Sequence, residues 1–395
     1  MRKPQLLWIA AGAALLAATP LTAMFAGSGG AGSGGGDIPG TGEPGGPDRE
    51  FTAAERLTWL AGRQLFDHDF HRSDGLGSPE FNADSCRACH MDPVMGGAGP
   101  LELNVSRFGR DHGGQGPFED LPGGQGLSKL RPPYVDGREE YDTALADCFE
   151  QRQTPSLFGG GLQDSVLESA IVANEDPNDL DGDGIYGVAR RVDINGVLEI
   201  GRFGWKAQIP RMADFTQDAL AGECGVTTPD DGRGFGLFSD SDGTPDPEMQ
   251  QAQVDQLSFF IEHIAAPQRD GAAGSLGARV AEGEQLFDTI GCAKCHVPEM
   301  DGANGPVPLY SNLLLHNVLP ADFRGMEEPG APSGYYKTPP LWGIEDTAPY
   351  LHDGRAETLL DAILMHEGEA EGVRQAFEAL TPRQQRNVIH FLEDL

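Results

Sequence analysis

Positive charge is scarce in this chain. Its 395 residues hold 28 Lys and Arg against 61 Asp and Glu, a formal net charge of −33. Such a balance repels nucleic acid and anionic lipid surfaces, and it can steer a basic partner toward the protein. Long apolar runs are missing beyond the N-terminus, so no later stretch is expected to cross a membrane. Cysteine is sparse too, with six residues. Four of them fall in two copies of one pattern, Cys86-Arg87-Ala88-Cys89-His90 and Cys292-Ala293-Lys294-Cys295-His296.

C-x-x-C-H is the pattern by which a chain attaches c-type haem. Two thiols on one turn can form thioethers with the haem vinyl groups, and the next residue brings an imidazole under the iron. A zinc ribbon would set its two C-x-x-C pairs about 15 to 20 residues apart. Here they stand about two hundred apart, and neither follows the strand that a thioredoxin motif requires. Two covalently attached haems are therefore expected, held by Cys86, Cys89 and His90 and by Cys292, Cys295 and His296.

The N-terminus reads as an export signal. Arg2 and Lys3 precede an apolar stretch from Leu6 to Ala18, broken at Thr19-Pro20. Residues 1–26 are either a cleaved signal peptide, with Ala23 and Ala26 as candidate cleavage positions, or an uncleaved N-terminal anchor. A periplasmic body, soluble or tethered, follows, and an uncleaved N-terminus is its one expected contact with a membrane. Residues 27–50 are a Gly-rich linker that reads as a flexible tether. The remaining cysteines, Cys148 and Cys224, suit a structural disulfide in an oxidising compartment.

Three elements recur in order. Arg63-Gln64-Leu65-Phe66-Asp67 precedes the first haem motif, and Glu284-Gln285-Leu286-Phe287-Asp288 precedes the second. Gln153-Thr154-Pro155-Ser156-Leu157-Phe158-Gly159 follows the first, and Lys337-Thr338-Pro339-Pro340-Leu341-Trp342-Gly343 follows the second. A short apolar helix comes next in each case, at Val166 to Ile171 and Thr358 to Ile363. The fold predicted is mainly α, two cytochrome c-like haem domains with extensive irregular loops. The N-terminal haem domain with insertions takes residues 51–267, a linker 268–275, and the C-terminal haem domain 276–395. A capping box at Thr52 to Glu55 should open a helix that turns Leu57, Leu60 and Leu65 inward. Asp246-Pro247 should start another, with Val254, Leu257, Ile261 and Ile264 as its stripe. The last helix should begin at Thr381-Pro382 and bury Val388, Phe391, Leu392 and Leu395.

Several stretches carry a family resemblance. Phe81 to Ser85 lead into the first motif, Asp92 to Pro100 follow it, and Gly201-Arg202-Phe203-Gly204-Trp205-Lys206-Ala207 and Tyr350-Leu351-His352-Asp353-Gly354-Arg355 lie further on. Together they resemble the bacterial di-haem oxidoreductases often labelled thiol oxidoreductases, relatives of di-haem cytochrome c peroxidases and of MauG. The resemblance implies a reactive haem on His90 and a relay haem on His296. It places a distal ligand of the relay haem at His366, where the peroxidases carry Met, with Met365, His316 and His352 as alternatives. It makes Glu168 the acid–base residue over the reactive haem, and it leaves Gly161 where the peroxidases have a Gln, with Gln163 two positions later. It also sets Trp205 between the haems as a candidate electron relay.

Asp179, Asp181 and Asp183 stand on alternate residues before Gly184, the first half of a calcium loop, and the relatives hold calcium near their haems. The twelfth position is Arg190, so the loop is no full EF-hand. The thiol-oxidising label finds no support in Cys148 and Cys224, which form no C-x-x-C. Three functions stay open. One is a di-haem oxidoreductase with peroxidase-like chemistry, fed by a basic or small redox protein and acting on peroxide. Another is an electron carrier with both irons six-coordinate, for which His112 or Met95 would be the added ligand. The third is MauG-like oxidation of a partner protein.

Overall fold

The computed structural model describes residues 38–395 except 78–80, 122–125, 128–144, 241 and 270. The expected leader at 1–26 and the first part of the expected linker lie outside the described residues. Helices and strands alternate along the chain. The first half runs α1 (Ala53–Phe66), α2 (Cys86–Cys89), β1 (Val105–Gly109), β2 (Gly126–Leu127), β3 (Cys148–Arg152), α3 (Gly160–Ser165), α4 (Glu168–Val172), β4 (Arg191–Ile194), β5 (Val197–Ile200), α5 (Met212–Ala219) and α6 (Gln251–Glu262). The second runs α7 (Gly274–Thr289), β6 (Met300–Gly302), β7 (Gly305–Val307), β8 (Leu315–Asn317), β9 (Tyr335–Lys337), α8 (Leu359–Leu364), α9 (Glu371–Glu378) and α10 (Pro382–Glu393).

Thr52 opens α1 as the sequence predicts: Glu55 N–H donates to its Oγ1, and its own N–H donates to the Glu55 carboxylate at 2.8 Å. The buried face is Trp59, Gly62, Leu65 and Phe66. Leu57 is 70% exposed rather than inward. It stands two residues from Trp59, about 200° around the helix, and so faces away from the core. The α6 stripe of Val254, Leu257 and Ile261 is buried as expected, but the helix starts at Gln251, capped by Gln250. Asp246 and Glu248 hold a turn instead, accepting from Asp240 N–H and from Thr227 N–H and Oγ1–H. Thr381 and Pro382 start α10 where predicted, and Val388, Phe391, Leu392 and Leu395 are buried.

The three sequence repeats become one three-dimensional frame built twice. In the first half α1 crosses α6 at Gly62, where an added Cβ would run into the Gln256 carbonyl. In the second, α7 crosses α10 at Gly283, where a Cβ would run into the Asn387 carbonyl. Phe66 meets Phe260 edge-on with ring centroids 5.2 Å apart, and Phe287 meets Phe391 in the same way at 5.2 Å. Gly159, at φ 68°, donates its N–H to Ile264 O at 3.1 Å. Gly343, at φ 63°, donates to Leu395 O at 3.1 Å. Glycine is required at both crossings because the backbones approach too closely for a side chain. Gly283→Ala is expected to cost about 1–3 kcal/mol, the usual effect of overpacking a core contact. Urea unfolding of the haem-loaded protein measures it.

Strands are short but more numerous than a mainly-α fold allows, and the structure is 34% helical and 14% strand. That corrects the expected class to a mixed one. β1 pairs antiparallel with β2 and β3, while β4–β5, β6–β7 and β8–β9 form separate antiparallel pairs. β4 and β5 are joined by Asn195-Gly196, both at positive φ, the two-residue turn whose twist matches a hairpin. Periodicity could not reveal pairs of three or four residues, because a strand that short carries barely one alternation.

Two further expectations change. The tether reading of residues 27–50 fails from about Ile38 onward. Asp48 N–H donates to His263 O, Ala265 N–H to Gly46 O, and Pro47 bridges Ile264, so this stretch is pinned by backbone bonds that need no side chains. The Cys148–Cys224 disulfide is absent. Both thiols are buried and unpaired, Cys148 at the start of β3 beside Asp111 and Arg324, Cys224 in the first-half core facing Cys86.

Candidate haem-binding site

Each C-x-x-C-H motif sits behind the phenylalanine of its repeat. Phe66 lies 6.2 Å from the His90 ring and Phe287 6.3 Å from the His296 ring, at nearly equal tilts of 53° and 55°. The basic residue inside each motif is tied to neighbouring acids, Arg87 to Asp67 and Asp69, Lys294 to Asp183. None of the four motif thiols forms a disulfide. Burial pushes Cys86, Cys89 and Cys292 up to about 12, so these thiols are neutral at ordinary pH.

The imidazoles are oriented by backbone carbonyls. His90 Nδ1 lies 3.2 Å from Gly97 O, and His296 Nδ1 lies 3.0 Å from Tyr310 O. A carbonyl oxygen only accepts, so Nδ1 carries the proton and Nε2 presents a lone pair, the tautomer an iron requires. Burial pushes both rings down to about 4, which keeps them neutral and ready to ligate. His366 follows the same rule, with Nδ1 2.7 Å from Ala362 O and its pKa lowered by burial. Its closeness to His296 is a further cause of that residue's lowered pKa.

A cavity of about 310 Å³ connects the two halves. Its wall includes Gln153, Pro155 and Trp205 on one side and Cys292, Cys295, His296 and His366 on the other. Phe158, Phe203 and Met212 belong both to this wall and to the core against which Cys86 packs. The walls are predominantly apolar, the thiols are unpaired and the imidazoles are correctly tautomerised. A flat apolar macrocycle with an axial ligand fits this donor set.

The alternatives to His366 are disposed of by their contacts. His316 uses both ring nitrogens, Nδ1 at 2.9 Å from Glu369 and Nε2 at 3.0 Å from Asn312. His352 lines the cavity too, but it stacks on Tyr336 at 3.8 Å and its Nε2 faces an Arg355 amino group at 3.5 Å. Met365 is 38% exposed at the end of α8 and does not line the cavity. His112 pairs with Glu119 at 3.3 Å, and Met95 is buried in the first-half core with Phe66; neither lines this cavity, and neither does His90.

Glu168 is not on the wall. It is the first residue of α4, its side chain is 47% exposed, and its carboxylate accepts from Ile200 N–H at 3.1 Å, which turns it toward β5. Gln163 is on the wall instead, buried, with its amide nitrogen donating to Arg202 O at 2.6 Å. Sequence register pointed to Gly161, and α3 brings Gln163 round by two residues. Met212 is a second wall residue that the sequence reading missed, because a methionine at a helix start has no distinguishing pattern. Trp205 lines the cavity with its indole N–H on Gln153 O at 2.7 Å. The acidic loop also differs from expectation. Asp183 is committed to Lys294 at 2.7 Å, and the carboxylates that converge are Asp176, Asp179 and Asp181.

Two C-x-x-C-H loops with iron-ready imidazoles on a shared frame define a di-haem redox protein. Residues 147–395 match the family described as "Di-haem oxidoreductase, putative peroxidase", and the chain belongs to that family. No curated protein matches the chain. Among solved structures, a MauG-like protein associated with microbial copper homeostasis is similar at 16% identity and a TM-score of 0.41, covering 91% of this chain and 94% of that one. Hydrazine synthase of Kuenenia stuttgartiensis is similar at 14% identity and a TM-score of 0.39, covering 91% and 97%.

Proposed function

We propose that the protein is an exported di-haem c-type oxidoreductase in which the two haems differ in coordination. The observation that carries this is an asymmetry in the cavity wall. His296 has a second carbonyl-oriented imidazole, His366, on the same cavity. His90 itself is not on that wall, and the first-half residues that are, Gln163, Met212 and aromatic rings among them, include no imidazole. Haem supplies one-electron redox chemistry and, at an iron with a free position, reduction of peroxide. Cys86, Cys89, Cys292 and Cys295 would attach the two haems, and His90, His296 and His366 would ligate them. Gln163 would orient a small oxidant, and Trp205, on the first-half side of the cavity wall, would relay electrons. Electrons would come from a small basic redox protein, drawn by the chain's net charge of −33. Periplasmic location follows from the leader reading and from where c-type haem is attached.

Met212 supports a second reading. Its thioether is on the first-half wall, and were it to ligate, both irons would be six-coordinate and the protein an electron carrier. Low-temperature electron paramagnetic resonance of the ferric holoprotein separates the two. One high-spin and one low-spin signal, the former lost on adding peroxide, is the expected result. Two low-spin signals indifferent to peroxide, even after partial reduction, would establish the carrier.

A further inference from the structure

One arginine and one lysine line the cavity, Arg374 and Lys337, and they are treated differently. Arg374 is satisfied: its Nε donates to His366 O at 2.9 Å, and its amino groups reach Glu378 and Glu371. Lys337 is 7% exposed, and its Nζ has no hydrogen-bond acceptor or carboxylate among the described residues. The backbone fixes it in place. Its N–H donates to Trp205 O at 2.7 Å, and β9 pairs it with Leu315 of β8. The contrast with Lys206 is direct, because that buried lysine donates to Pro332 O at 2.9 Å and Tyr335 O at 3.1 Å.

The surroundings do not supply the missing charge. Behind the wall, Arg107, Arg152, Arg190 and Lys206 share the carboxylates of Glu150 and Glu328, a surplus of positive charge. Burial alone pushes Lys337 down to about 8, so at neutral pH it stays mostly charged. An ammonium held in an apolar cavity requires an anion. A haem carries two carboxylates on the edge opposite its vinyl groups, and the cavity that Lys337 lines is lined by Cys292, Cys295 and His296 of the second motif and by no residue of the first.

We propose that Lys337 is the anion anchor of this cavity, its ammonium pairing with a carboxylate of the haem borne by Cys292, Cys295 and His296. This rests on the di-haem reading. Lys337 is a positioning residue here, and its fixed positive charge also stabilises the more electron-rich state of that haem, which raises its midpoint potential.

The test uses holoprotein of the wild type, Lys337→Gln and Lys337→Arg, with haem counted first by the alkaline pyridine haemochrome. Wild-type protein without two haems would overturn the di-haem reading itself, which separates that failure from one confined to Lys337. Spectroelectrochemical titration then gives both midpoints, assigned by comparison with a Cys292→Ala, Cys295→Ala double variant. Lys337→Gln should lower the midpoint of the second-motif haem and leave the other in place, and Lys337→Arg should restore it. Loss of that haem in Lys337→Gln with full loading in Lys337→Arg supports the anchor equally. Unchanged midpoints in Lys337→Gln, a shift confined to the first-motif haem, or equal damage in both variants would overturn it.

Discussion

Replacing Glu328 by Gln should destabilise the protein by about 3–5 kcal/mol, the cost of removing one partner from a buried ionic cluster. Glu328 Oε1 accepts from Arg107 at 3.0 Å and Arg152 at 2.8 Å, and Oε2 accepts from Arg190 at 2.7 Å. One carboxylate thus bridges three guanidinium groups from β1, β3 and the approach to β4. A Gln of the same shape removes the charge and turns a donor toward donors. The substitution also cuts a tie between the halves, since Glu328 lies between β8 and β9. Chemical denaturation at neutral pH measures the loss, and a change below about 1 kcal/mol, the level of an exposed pair, would refute the assignment.

The same carboxylate gives a pH dependence with a definite sign. Burial opposes its charge, but Arg152, Arg107 and Arg190 outweigh burial and bring it from 4.5 down to about 2. A folded-state value below the unfolded one means stability that is complete above 4.5 and is lost as pH falls through about 2. The Gln variant should therefore lose the acid sensitivity of this pH window along with the stability.

The second large effect belongs to His366. His366→Ala should abolish the low-spin ferric signal of the haem on His296 and replace it with a high-spin one, read by electron paramagnetic resonance. The carbonyl of Ala362 fixes which ring nitrogen is free, and two other imidazoles of that wall are engaged: His316 through both nitrogens, His352 stacked on Tyr336 with Nε2 3.5 Å from Arg355. His366→Met should keep the low-spin state and raise the potential, as a thioether does relative to an imidazole. An unchanged spin state in His366→Ala would mean that the ligand is another residue.

Much of the site was legible because covalent chemistry leaves short local patterns. The C-x-x-C-H motifs, the capping box at Thr52, the helix start at Thr381-Pro382 and the three repeated elements each fit within a few residues. Glu168, Asp183 and Leu57 were misread. For Glu168 and Asp183 the side chain is turned by a distant partner, Ile200 and Lys294, whereas Leu57 follows the helical period of α1 away from Trp59. Met212 and Lys337 escaped because a wall residue is defined by three-dimensional placement, with no spacing of its own. The pinned stretch after Ile38 escaped because backbone pairing is indifferent to composition.

The doubled frame gives the molecule its own control. Crossing glycine, edge-on phenylalanine pair and terminal carbonyl are reproduced in both halves to within a tenth of an ångström where they are measured. Whatever separates the two redox centres therefore cannot originate in that shared scaffold. It must come from the residues the repeat does not copy: the carbonyl of Gly97 against that of Tyr310, and an opposing imidazole on one side only. Divergence after duplication would then have been free to tune each centre separately while the load on the scaffold stayed constant.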